Sequence, residues 1–169
     1  DREFDITTCQ EMLVDHAFTI PLKLFWPQSP CPISAVPVCI NTVQFPLPSA
    51  KRCYAFGQAV GDAIRSWDSD KKVVVIGTGG LSHQLDGERA GFINKDFDLK
   101  FMDSMINDPA WATQFSIHEL VEKTGTQGVE LLMWLAARAA VPGTLKTVHT
   151  NYHIPISNTA SGLMALATV

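Results

Sequence analysis

Lys72-Val-Val-Val-Ile-Gly-Thr-Gly-Gly-Leu-Ser-His83 is the stretch on which the fold reading turns. The β-branched run at residues 73–76 reads as a short buried strand. Glycines follow at 77, 79 and 80, and then His83. In open α/β sheets, ligands bind beyond the carboxyl ends of strands. Glycine there lets the backbone turn sharply and lets a ligand approach closely. Histidine is the side chain whose ordinary pKa lies nearest neutrality. The loop therefore suits a ligand or acid–base site. A tight turn whose histidine caps a helix or faces water stays open beside that reading.

Three familiar glycine loops do not match. A Walker loop ends in Gly-Lys-Ser/Thr, and Leu81-Ser82-His83 stands there instead. A dinucleotide fingerprint needs a third glycine where Ser82 stands. A nucleophile elbow needs Gly-x-Ser-x-Gly, but Gln84 follows His83. A hydrolase built on Ser82 and His83 is disfavoured, because neighbours in sequence rarely aim at each other from a strand end.

Working outward, strands are expected at residues 4–9, 33–40, 145–154 and 163–168. Pro37 marks the second of these as an edge or a bulge. Asp15 can cap a helix over 16–25 that Trp26-Pro27 ends. Ser49 caps an amphipathic helix over 50–67, with Cys53, Phe56, Val60 and Ile64 on one face. A further helix spans 94–106, with Phe97, Phe101 and Met105 aligned. Ser116 and Glu119 form a capping box for a short helix to Thr124. An apolar helix over 129–140 ends at Pro142-Gly143. Strands alternate with helices, so the class is α/β, a central mixed sheet with flanking helices.

The 169 residues suffice for one domain with a real core, taken here as residues 1–169. Hydrophobic residues at 46% against 18% charged exclude a disordered chain. A net charge of −4 without a basic cluster argues against nucleic acid. No apolar run reaches the length of a membrane span. Cysteines at 9, 31, 39 and 53 form no Cys-x-x-Cys pair, so free and mostly buried thiols in a reducing cytoplasm are expected. The chain opens on Asp1-Arg2-Glu3-Phe4 without methionine, which reads as a cut through a larger protein.

Glu130 lies among Val129, Leu131, Leu132 and Met133. A buried carboxylate there must be paired, metal-bound or protonated. The residues alone favour the plainer role of complementing the helix dipole. His149 and His153 would meet on a helix, but on a strand they lie about 13 Å apart and cannot share one ion. His118 reads as a surface residue. His16, at a helix start, reads as structural. Ser157-Asn158-Thr159 suits a turn or the recognition of a polar ligand, with the turn favoured.

Five blocks occur in order: Val14-Asp-His-Ala-Phe-Thr-Ile-Pro-Leu22, Gly77-Thr-Gly-Gly-Leu-Ser-His-Gln-Leu85, Arg89-Ala-Gly-Phe-Ile-Asn-Lys95, Gly128-Val-Glu-Leu-Leu-Met-Trp134 and Tyr152-His-Ile-Pro-Ile-Ser-Asn-Thr-Ala160. Together they resemble the catalytic subunits of the extradiol ring-cleaving dioxygenases, the family of the protocatechuate 4,5-dioxygenase β subunit and of gallate dioxygenase. The resemblance covers essentially the whole chain. It implies the C-terminal part of such a subunit, acting on a catechol acid with dioxygen and non-haem Fe(II): 4,5-cleavage of protocatechuate first, with gallate or methylgallate as the alternative substrate.

The same resemblance implies Glu130 as an iron ligand, His83 as the acid–base histidine and His16 as an assisting histidine. It places Ser157 and Asn158 beside the bound aromatic acid. The family's two iron-binding histidines lie upstream of anything matched here. The chain by itself is therefore expected to bind ferrous ion weakly and to be inactive. A small α subunit, a homo-oligomer and a cytoplasmic location are also implied. A non-catalytic small-acid-binding module of the same fold is the alternative.

Overall fold

A computed structural model describes residues 4–169, which fall into two units, residues up to Ile40 and Asn41–Val169. The described part of the first unit is one helix, α1 (His16–Phe25), between irregular segments. Asp15 caps it, its Oδ1 accepting the N–H of Ala17 at 2.9 Å. That satisfies one of the orphan donors of the first turn. The strands expected at 4–9 and 33–40 are absent: both segments are irregular. Val36 and Val38 are exposed.

The second unit contains α2 (Ala50–Ser66), α3 (Lys95–Asn107), α4 (Ile117–Thr124), α5 (Leu131–Ala140) and the strands β1 (Leu145–His153) and β2 (Ser161–Thr168). Short 3-10 turns precede α4 and α5, at Trp111–Gln114 and Gly128–Glu130. The α/β class holds. The sheet among the described residues is the antiparallel β1–β2 hairpin, from Leu145 opposite Thr168 to His153 opposite Ser161, with an irregularity between Thr147 and His149. The segment at 73–76, expected as the central strand, is a correction. It carries strand composition, but none of its backbone groups enters a ladder among the described residues. A strand requires a neighbour to pair with, and Val74 stands 73% exposed.

Local signals place the helices well. Ser49 Oγ accepts from Arg52 N, Asn94 Oδ1 accepts from Phe97 N, and Ser116 with Glu119 closes a complete capping box. The buried face of α2 differs from the one expected. Ala50, Cys53, Gly57 and Gly61 are buried, whereas Phe56, Val60 and Ile64 are only half-buried. The cause is α5. A Cβ on Gly57 would stand 2.1 Å from the carbonyl oxygen of Ala136, and one on Gly61 2.2 Å from that of Ala140. Two backbones meet where neither residue has bulk to separate them.

The core gathers Leu81, Phe101, Leu120, Leu131, Leu132 and Leu135, all fully buried. Arg138 is buried on α5 with no carboxylate partner among the described residues. Its guanidinium donates to the carbonyls of Met105, Val141 and Gly143, tying the end of α3 to the turn before β1. The cysteines are free, but Cys9, Cys31 and Cys39 are exposed and Cys53 alone is buried, against the expectation of mostly buried thiols. The three exposed thiols lie in the irregular segments of the first unit, where none of the described residues is buried. Burial pushes the Cys53 thiol up to about 11, so it stays protonated at neutral pH. No helix among the described residues is long and apolar enough to cross a membrane.

Candidate active site

The residues from Gly77 to His83 run past the first turns of α5, and glycine makes the approach possible. Gly79 has φ +126°, a conformation that disfavours other residues, and a Cβ there would lie 2.8 Å from the Cβ of Glu130. Trp134 Nε1 donates to the carbonyl of Gly79 at 3.0 Å, pinning the loop to the helix. The glycines thus serve the fit of loop to helix as well as the turn.

Glu130 ends the 3-10 turn and occupies the N-cap position of α5, but its side chain does not cap that helix. Its Oε2 instead accepts the N–H of Gly80 at 2.6 Å. On the other side of Gly80 lies the imidazole: a Cβ at Gly80 would stand 2.8 Å from Cε1 of His83. Glu130 and His83, 47 residues apart by their numbers (130 − 83), therefore share one glycine as neighbour.

His83 is 5% exposed. Its Nδ1 lies 2.8 Å from the carbonyl oxygen of Leu81. A carbonyl only accepts, so Nδ1 carries the proton of that bond. In the neutral ring Nε2 is then the lone-pair nitrogen. The backbone N–H of His83 donates to Thr124 O at 2.8 Å, which fixes the loop to the end of α4.

The segment after β1 closes the site. Leu81 N donates to Ala160 O, and Ala160 N donates to Ser82 O. The Cγ2 of Thr159 would lie 3.2 Å from a Cβ on Gly80. Asn158 has φ 54°, and its Nδ2 approaches Gly91. Ser157 and Asn158 are exposed, in a connection that turns at residues 156–157. Turn and neighbour of the glycine loop are the same segment. His16 opens α1 in the first unit and is exposed. His118 is exposed as expected, and His149 and His153 are exposed on β1.

One group escaped the sequence reading. Asp98 on α3 is 1% exposed. Its Oδ1 accepts from Ser82 N at 2.9 Å, and its Oδ2 accepts from Ser82 Oγ at 2.6 Å and Tyr152 Oη at 2.9 Å. Burial raises its pKa above the ordinary 3.8, opposed by those hydrogen bonds and by the nearby His83. Burial, with the bond to Asp98, also pushes the Tyr152 phenol up. The signal was present: Asp98 falls in step with Phe101, Met102 and Met105, a carboxylate on an apolar stripe. Ser82 is spent in this network, since its Oγ also accepts from Asn94 N at 2.8 Å. It is no free nucleophile.

Among the described residues no three His, Cys, Asp or Glu side chains come together as metal ligands. One carboxylate, Glu130, does not make a ferrous site by itself.

A half-buried carboxylate and an oriented imidazole meet at one glycine loop on an α/β scaffold. The chain belongs to the family of the catalytic LigB subunit of aromatic ring-opening dioxygenase, whose model matches residues 1–162. Gallate dioxygenase of Pseudomonas putida is 36% identical over 154 residues, covering 90% of this chain and 45% of that protein. A 2,3-dihydroxyphenylpropionate/2,3-dihydroxicinnamic acid 1,2-dioxygenase of Xanthobacter autotrophicus is 28% identical, covering 96% and 66%. One from Mycolicibacterium paratuberculosis is 42% identical over 84 residues, covering 49% and 26%. The chain thus spans less than half the length of the gallate dioxygenase it matches. The family agrees with the resemblance carried by the five blocks.

Proposed function

We propose that this chain carries the acid–base half of an extradiol ring-cleavage site for a catechol acid of the protocatechuate or gallate type. His83 is the base. The observation that carries this reading is the bond from Nδ1 to Leu81 O, which leaves Nε2 to accept a ring hydroxyl proton. Once protonated, the same imidazole can return that proton later in the reaction. Glu130 supplies one carboxylate to a ferrous ion whose other ligands come from outside the described residues. Ser157 and Asn158, in the connection that leads into the Thr159 and Ala160 contacts with the loop, orient the substrate acid, and His16 assists. The gallate dioxygenase relative supports the substrate class. A small α subunit and assembly of several copies belong to the same reading.

The test is His83→Gln in the natural gene product, assayed with protocatechuate and with gallate. Turnover falls by about 10²–10⁴-fold, the range for loss of a general base, with the bound metal retained. Turnover equal to wild type on both acids overturns the role of His83. The faster of the two acids names the substrate.

A further inference from the structure

The carboxylate of Asp98 is buried with no lysine or arginine paired to it among the described residues, an expensive arrangement that demands a return. All three hydrogen bonds it accepts come from two residues, Ser82 and Tyr152. Ser82 immediately precedes His83. Asp98 grips both its backbone N–H and its hydroxyl, while Asn94 N donates to that same hydroxyl. The carbonyl of Ser82 accepts from Ala160, so the grip extends to the segment holding Asn158 and Thr159. Tyr152 brings in β1. Three chain segments therefore meet at one carboxylate behind the histidine loop, and a fourth is tied to Ser82.

We propose that Asp98 is a positioning residue for His83. It holds Ser82 in the one orientation that lets the imidazole donate from Nδ1 to Leu81 O and keep Nε2 as the lone-pair nitrogen. This rests on the reading of His83 as the base. Hydrophobic packing could hold a loop in place, but it would not set the direction of an N–H and an O–H at once. A bidentate carboxylate does both. Tyr152 supplies the third bond and keeps the carboxylate from turning.

The experiment uses the natural gene product with Asp98→Asn and Ser82→Ala, each compared with wild type and with His83→Gln. An amide at 98 that keeps its oxygen on Ser82 N–H turns its own N–H toward the two hydroxyls, so each hydroxyl must reverse from donor to acceptor or lose its bond. Asp98→Asn is expected to lower kcat on the order of tenfold or more, as small misplacements of catalytic groups do. KM changes by less than about threefold, since substrate binding is left intact. Heteronuclear NMR of the imidazole supplies a readout apart from turnover. Wild type shows one tautomer with the proton on Nδ1, and both variants show a mixture. Ser82→Ala is the milder change, and it decides the matter if Asp98→Asn does not fold: its mixed tautomer supports the proposal. A single Nδ1–H tautomer with wild-type kcat in whichever variants fold overturns it. If His83→Gln keeps full turnover, the base assignment falls, yet the tautomer measurement still tests whether Asp98 orients the ring.

Discussion

Oε2 of Glu130 accepts the backbone N–H of Gly80 at 2.6 Å, across 50 residues of sequence. The carboxylate at the head of α5 is thereby committed to the histidine loop rather than to its own helix. One oxygen holds the loop, and the other is left for a further partner.

That division separates two substitutions. Glu130→Gln keeps an acceptor for Gly80 N–H, and Glu130→Ala does not. The alanine variant is expected to lose about 1.5–3 kcal/mol of stability, the worth of a hydrogen bond to a charged group, and the glutamine variant less. Both should lose bound iron in the natural gene product. Denaturant unfolding and metal analysis check the two effects separately, and stoichiometric iron in the alanine variant removes Glu130 from the ligand set.

Asp98 predicts a pH signature. Its folded pKa lies above the ordinary 3.8, so the folded state binds its proton more tightly than the unfolded chain. The stability this contributes is complete below about 3.8 and is lost as pH rises through the elevated value. Asp98→Asn cannot titrate. The stability of wild type relative to that variant should therefore decline across this window, read from denaturant midpoints at stepped pH. A constant difference would show that burial does not disfavour the charge.

The contact of α2 with α5 has no room for a methyl group. Gly57→Ala would drive Cβ against the backbone of Ala136. The helices must separate, and the expected loss is about 1–3 kcal/mol, as for overpacked cores. The exposed Ala63→Gly on the same helix is the control, expected to cost about 0.5–1 kcal/mol through helix propensity alone. Thermal melts of both variants make the comparison.

Residues 73–76 offer a β-branched edge unpaired among the described residues, with Val73, Val74 and Ile76 exposed. Such an edge recruits other chains. Val74→Lys in the 169-residue chain is expected to reduce self-association, seen by light scattering, without lowering its melting temperature. Unchanged association would locate the sticky surface elsewhere.

The legible parts were the local ones. Asp15, Ser49 and Ser116 announced helix starts because an N-cap acts on an N–H two or three residues away. Apolar spacing gave the span of α3, and two β-prone runs gave the strands β1 and β2, whose antiparallel pairing came only with the structure. Glu130, His83 and the 157–160 segment were singled out through the five blocks, and family membership came with them. The individual residues left a plainer role open for each.

Other features depended on partners far along the chain. Residues 73–76 have strand composition, but pairing is a property of two segments, and none among the described residues supplies the second. The buried face of α2 was set by the backbone of α5, which favours glycine over the Phe56, Val60 and Ile64 that periodicity selects. The sequence alone thus determined helix boundaries, the α/β class and the family, because those signals lie within a few residues or in ordered blocks. Only the tertiary structure decided that Glu130 and His83 flank Gly80, and that Asp98 grips Ser82 sixteen residues away and Tyr152 fifty-four away. A buried carboxylate needs donors wherever the fold brings them, and no local pattern names them in advance.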